Sequence, residues 1–201
     1  MNKDQDSSLE KVLTANLGRI IDMLKFAETK NAALLTFSSA WVIALFTFIT
    51  SDKVVSEAVK TSASAGLPFF LLAVIITLFS FVPQTVLIKF FGKQSKGIPK
   101  KHKATATHKN LMFFGDLKAI SPESAARELR GRYVPPENRA ISDGFVSDIS
   151  VQTVVISTIV ERKFRLFDWA ISSVIVAFLM MIVVVPAIMF AAIVLERASG
   201  P

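Results

Sequence analysis

Residues able to do chemistry are sparse in this chain and concentrate between Lys89 and Lys163. There is no cysteine, so disulfides, thiolate metal sites and cysteine nucleophiles are excluded. His102 and His108 have no second ligand type at a metal-binding spacing, so no metal site is expected. No phosphate-cradling glycine loop, zinc motif, nucleophile elbow or catalytic triad is present, and the chain reads as a non-enzyme. Charge is the clearer signal. From Lys89 to Lys109 there are seven lysines and no acid. Such a stretch suits a solvated loop near anionic headgroups or an electropositive mouth for an anionic ligand. Asn110-Leu111-Met112-Phe113-Phe114-Gly115-Asp116 follows at once, setting an amide, two aromatic rings and an acid in one short run.

The elements that must position these groups are membrane helices. The chain has 201 residues, 52% of them hydrophobic, too apolar for an ordinary soluble domain of this length. Three stretches carry no charge: Asn31–Ser51, Thr61–Ile88 and Trp169–Leu195. About 20 helical residues cross the hydrocarbon core, so each is long enough. The polar first thirty residues hold no signal peptide. Lysines and arginines then set the orientation. Twenty of the twenty-three fall before the first span or between the second and third. The positive-inside rule puts the N-terminus in the cytoplasm and the C-terminus in the periplasm. Pro83, followed by Gln84, and Pro186 mark spans two and three as kinked, whether as static bends or as hinges. Ser38, Ser39, Ser172 and Ser173 are small polar residues suited to close helix contacts. No acid or base lies within a span, which argues against a proton pump or charge-relay transporter.

Outside the spans the pattern is also helical. Ser7 or Ser8 can cap a helix. Leu13, Leu17, Ile20, Leu24 and Ala27 then form a seam at spacings of three and four. Nothing stops this helix before Ala32, so it should run into span one. Phe145, Ile149, Gln152, Ile156, Ile159 and Lys163 repeat likewise and lead into span three. Their apolar faces must pack on each other or on a second subunit. Ser121-Pro122-Glu123 reads as an N-cap, a first-turn proline and an early acid, opening a helix that ends near Gly131. Tyr133 to Gly144, with Pro135 and Pro136, reads as a loop. The expected fold is an all-α membrane protein, three transmembrane helices with a helical cytosolic stalk and domain. The expected order is a cytosolic amphipathic helix at 1–31, a span at 32–51, a periplasmic loop at 52–64 and a span at 65–88. A cytosolic domain at 89–166, a span at 167–195 and a periplasmic tail at 196–201 complete it.

Three motifs at these positions resemble the membrane effectors of Pycsar antiphage systems. Ala27-Glu28-Thr29-Lys30-Asn31-Ala32-Ala33-Leu34-Leu35 is similar to the acidic-x-Lys-x-Ala motif that opens that family's first span. Glu28 stands where an aspartate is expected, which keeps the charge and lengthens the side chain. Asn110 to Asp116 is similar to its NLxFFG segment. Val151-Gln152, Ser157 and Arg162-Lys163-Phe164 resemble its third block. The resemblance covers roughly residues 20 to 170. It implies an oligomeric effector of the bacterial inner membrane. A partner cyclase makes the activating cyclic pyrimidine mononucleotide, cyclic UMP or cyclic CMP, and the effector then damages the membrane and stops growth. No nucleic-acid partner and no cofactor beyond that ligand are implied. A small constitutive channel or transporter subunit, or a non-enzymatic scaffold, remains open on the residues alone. The ligand's phosphate needs a cation and its base needs an apolar wall and an edge-reading group. Asn110, Phe113, Phe114 and Asp116 supply the last two, and Arg162 and Lys163, with Gln152 on the same helix, supply the first. Glu28 and Lys30 would couple occupancy to span one. The alternative is that Phe113 and Phe114 are core and that Arg162 and Lys163 only anchor the helix at headgroups.

Overall fold

The structure, a computed structural model, describes residues 3–51, 57–82, 110–113, 117, 120–137 and 139–198. Pro83, Gln84, the lysine-rich stretch with both histidines, Phe114 and Asp116 lie outside the described residues. Four helices are described: α1 Lys3–Thr50, α2 Glu57–Phe81, α3 Pro122–Tyr133 and α4 Asp143–Ala198. No strand occurs among the described residues, and the fold is all-α. At about 1.5 Å per residue, the 48 residues of α1 extend about 72 Å and the 56 of α4 about 84 Å. Three helices, α1, α2 and α4, are long and apolar enough to cross a membrane. Both amphipathic segments therefore continue without a break into the stretches read as spans.

Several boundaries differ from the sequence reading. α1 begins at Lys3 rather than at a Ser7 or Ser8 cap. Asp4 and Asp6 sit in its first turn, where acids favour the positive end of the helix dipole, and Ser8 Oγ donates back to Asp4 O at 2.9 Å. α2 begins at Glu57, inside the expected loop, because Glu57 to Ala65 holds neither proline nor glycine. Thr61 and Ser64 hydroxyls donate to the carbonyls of Glu57 and Lys60 there. Pro68 lies within α2, a proline the reading passed over. α3 opens on Ser121 as expected, whose side chain accepts from Ser124 N. It continues past Gly131 to Tyr133 and stops at extended Val134, since the residue before a proline avoids the helical region. Asp143 and Gly144 belong to α4, capped by Ser142 Oγ accepting from Phe145 N at 3.1 Å.

The chain divides into two compact units. One, the polar unit, contains residues 1–26 and 87–161; the other, the apolar unit, contains residues 27–86 and 162–201. In the apolar unit the core is Leu34, Leu45, Ala63, Phe70, Ala73, Ala170, Val174 and Ala177. Hydrogen bonds from Lys163 to Ser80, Ser173 to Phe69 and Ser62 to Met181 run in opposite chain directions, so α2 and α4 are antiparallel. Trp41 stacks on Phe70 at 5.6 Å, and Phe178 meets both rings edge-on at 5.2 and 5.3 Å. Gly66 lets α2 approach α4: an added Cβ would fall 2.6 Å from Met181 Cγ and 3.3 Å from Ala177 O. The unit is apolar outside and partly polar inside. Ile43 is 67% exposed and Phe190 70% exposed, whereas Asn31, Ser38, Ser62, Thr77, Ser80 and Ser173 are buried. That inversion suits hydrocarbon as the surrounding solvent.

Candidate functional site

In the polar unit three of the sequence-chosen residues, Asn110, Phe113 and Gln152, lie at a turn on α4. Asn110 Oδ1 accepts from Met112 N at 2.9 Å, and Phe113 N donates to Asn110 O at 3.0 Å. The amide thus closes its own turn, as Asn does in an Asx-turn. Its Nδ2 donates to Asp148 O at 3.3 Å, and Gln152 Nε2 donates to Met112 O at 3.0 Å. Leu111 is buried beneath the turn and Phe113 is 38% exposed. Asn110 and Gln152 therefore dock this segment on α4, and Phe113 offers an accessible ring.

Sequence reasoning missed the charged network of this unit. Asp148 accepts a two-point contact from Arg132, Nε and Nη2 both at 2.7 Å, and a third bond from Tyr133 Oη at 2.8 Å. Two-point guanidinium–carboxylate contacts are among the stronger protein hydrogen bonds. The bond to Asp148 raises the Arg132 pKa further above its ordinary value. Burial, then the hydrogen bond to Asp148 and its charge, push the Tyr133 phenol well above its ordinary value. Ser142 Oγ donates to Arg132 O at 2.9 Å, and a Cβ on Gly144 would strike that carbonyl at 2.7 Å, so only glycine fits beneath the end of α3. Asp6, fully buried, accepts from Arg139 Nε at 3.4 Å and Ala140 N at 3.2 Å. The available signal was position: Asp148 lies four residues before Gln152, an acid on an inward helical face, where burial demands a partner.

The apolar unit holds Glu28, Lys30, Arg162 and Lys163. Lys163 Nζ pairs with Glu28 Oε1 at 3.2 Å, donates to Ser80 O at 3.1 Å and stands 5.6 Å from the Phe81 ring centre. Lys30 Nζ lies 5.3 Å from the Phe167 ring centre and 6.0 Å from that of Phe164, within cation–π range. Arg162, half-buried, has no hydrogen-bond or ion-pair partner among the described residues. Burial and then the charge of Arg165 lower its pKa from the ordinary value, though a guanidinium stays ionised in proteins. Among the described residues no group of three His, Asp or Glu could hold a metal ion.

Residues 12–191 match the family described as PycTM, Pycsar effector protein domain. The chain belongs to the Pycsar effector family. It is 36% identical over 178 residues to the Pycsar effector protein RsPycTM of a Rhizobium species, covering 89% of this chain and 94% of that protein. No solved structure matches. Membership makes this chain an effector of antiphage defence, and the three motifs noted above all lie within the matched residues.

Proposed function

We propose that this effector is triggered by a cyclic mononucleotide, with cyclic UMP and cyclic CMP the leading candidates, and arrests growth by breaching the inner membrane. One observation carries the reading. α1 and α4 each run unbroken from stalk residues into a stretch long and apolar enough to span the bilayer. A continuous helix carries a displacement along its length, so a ligand among stalk residues needs no separate coupling domain. The nucleotide comes from a partner cyclase. Arg162 is the candidate phosphate ligand, because an anion there would offset its burial beside Arg165. The charge asymmetry puts the N-terminus in the cytoplasm, where such a ligand would be made. Val12, Met23 and Phe26 are exposed on α1 away from its half-buried seam, which favours a homo-oligomer.

The test is membrane potential and growth in cells producing, one at a time, a panel of cyclic nucleotides. The chain carries a C-terminal reporter active only in the periplasm. Depolarisation should require one cyclic pyrimidine nucleotide and vanish in Arg162→Ala at normal membrane levels, with the reporter active. Depolarisation without any nucleotide would instead identify a constitutive channel. A reporter active only in the cytoplasm would overturn the orientation.

A further inference from the structure

The apolar unit contains a contact that ties three helices through one cation. The Lys163 side chain is 13% exposed; from α4 it reaches Glu28 on α1, and Ser80 O and the Phe81 ring on α2. Asn31 lies beside it, fully buried, donating through Nδ2 to Ala27 O at 2.9 Å and Lys163 O at 3.3 Å. Two atoms at this level have no partner among the described residues: Asn31 Oδ1 and Ser80 Oγ, both buried. A buried polar atom without a partner is unfavourable in an apolar surrounding. These groups are therefore better satisfied by water than by the closed arrangement, and the contacts of Lys163 oppose its entry. Glu28 is 49% exposed and can rehydrate once released, so the clamp can open without orphaning its carboxylate.

We propose that the Glu28–Lys163–Ser80 clamp is an autoinhibitory contact holding the three helices closed, and that its release lets water reach Asn31 and Ser80 and starts membrane opening. The proposal rests on the reading that the effector breaches the bilayer, not on the identity of its trigger. Glu28 and Lys163 belong to two of the three motifs, and the clamp gives both a task other than touching the ligand.

The test uses the full chain in vesicles of phosphatidylethanolamine and phosphatidylglycerol, with potassium release measured without nucleotide. Lys163→Met keeps length and loses charge. It should raise release about tenfold, equivalent to about 1.4 kcal/mol in the closed–open equilibrium. Asn31→Leu removes the unpartnered oxygen at similar volume, so adding it to Lys163→Met should lower the leak again. A merely structural role predicts the opposite, a double variant leakier than either single one. Vesicles as tight with Lys163→Met as with wild type, or a leakier double variant, would overturn the clamp. Adding the nucleotide panel to wild-type vesicles tests the trigger separately.

Discussion

The polar unit is held by charge, and the apolar unit, away from the Glu28–Lys163 pair, by shape. Around Asp148, a carboxylate, a guanidinium and a phenol meet with every distance below 2.9 Å. Around Trp41, Phe70 and Phe178, three rings interlock without a charged group among them. The medium explains the difference. In water, exposed pairs contribute little and the network must be partly buried to matter. In lipid, burying apolar groups between helices gives little drive, so close approach at Gly66 and hydroxyl-to-carbonyl bonds from Ser62 and Ser173 take over. Among the described residues both units keep buried atoms without a partner: Asp6 Oδ1 in the polar unit, and Asn31 Oδ1, Ser38 Oγ and Ser80 Oγ in the apolar unit.

The largest expected break in this comparison is Asp148→Ala. Removing one partner of a buried ion pair strands the other, and the usual cost is about 3–5 kcal/mol. Arg132 is 22% exposed and can partly rehydrate, so about 3 kcal/mol is expected here. The polar unit should loosen while membrane insertion persists, with new tryptic cuts at Arg127, Arg130 and Arg132. An unchanged digestion pattern would show that the network contributes nothing to holding α3.

How much of this was legible depended on whether the signal was periodic. The three spans were plain because lipid excludes charge, and uncharged runs need no partner to be recognised. The continuity of α1 and α4 was legible because no proline interrupts either seam before its span and the apolar spacing of α1 carries on through Gly18. The α3 start was legible because Ser121, Pro122 and Glu123 each act locally. The Arg132–Tyr133–Asp148 network was not, since it joins two helices across an irregular connection and leaves no repeat. The Asp6–Arg139 contact, separated by 133 residues, leaves still less trace. Lys163 was read as a cation awaiting an anion. Its direction on α4 turns it to Glu28 and Ser80 instead, a matter of helix rotation that a one-dimensional pattern does not fix.

A smaller break belongs to the shape-held unit. Gly66→Leu inserts a side chain where even a Cβ meets Met181 and the Ala177 carbonyl. Overpacking of this kind costs about 1–3 kcal/mol and should lower the thermal midpoint in mild detergent. Met181→Ala removes the side-chain part of the clash, so the double variant should recover some of the loss. A wild-type midpoint for Gly66→Leu alone would mean that α2 and α4 are not this close.

The smallest effect is spectroscopic and tests the charge-held unit without disrupting it. Tyr133 is the one tyrosine in the chain, so phenolate absorbance reports it alone. Burial, the hydrogen bond to Asp148 and the negative carboxylate raise its pKa above the ordinary value, which is about 10 in an unfolded chain. The folded state holds the proton more tightly. Its stabilising contribution is therefore complete below about pH 10 and is lost as pH rises through the folded value. Phenolate should appear later than in a free tyrosine peptide while far-ultraviolet dichroism still shows helix. Asp148→Asn keeps the shape, removes the negative charge and weakens the hydrogen bond, so the titration should move part of the way back. Burial is the leading cause of the shift, and the return should be incomplete. An ordinary titration in the folded wild type would place the phenol in water and remove Tyr133 from the network, leaving Arg132 alone to hold Asp148.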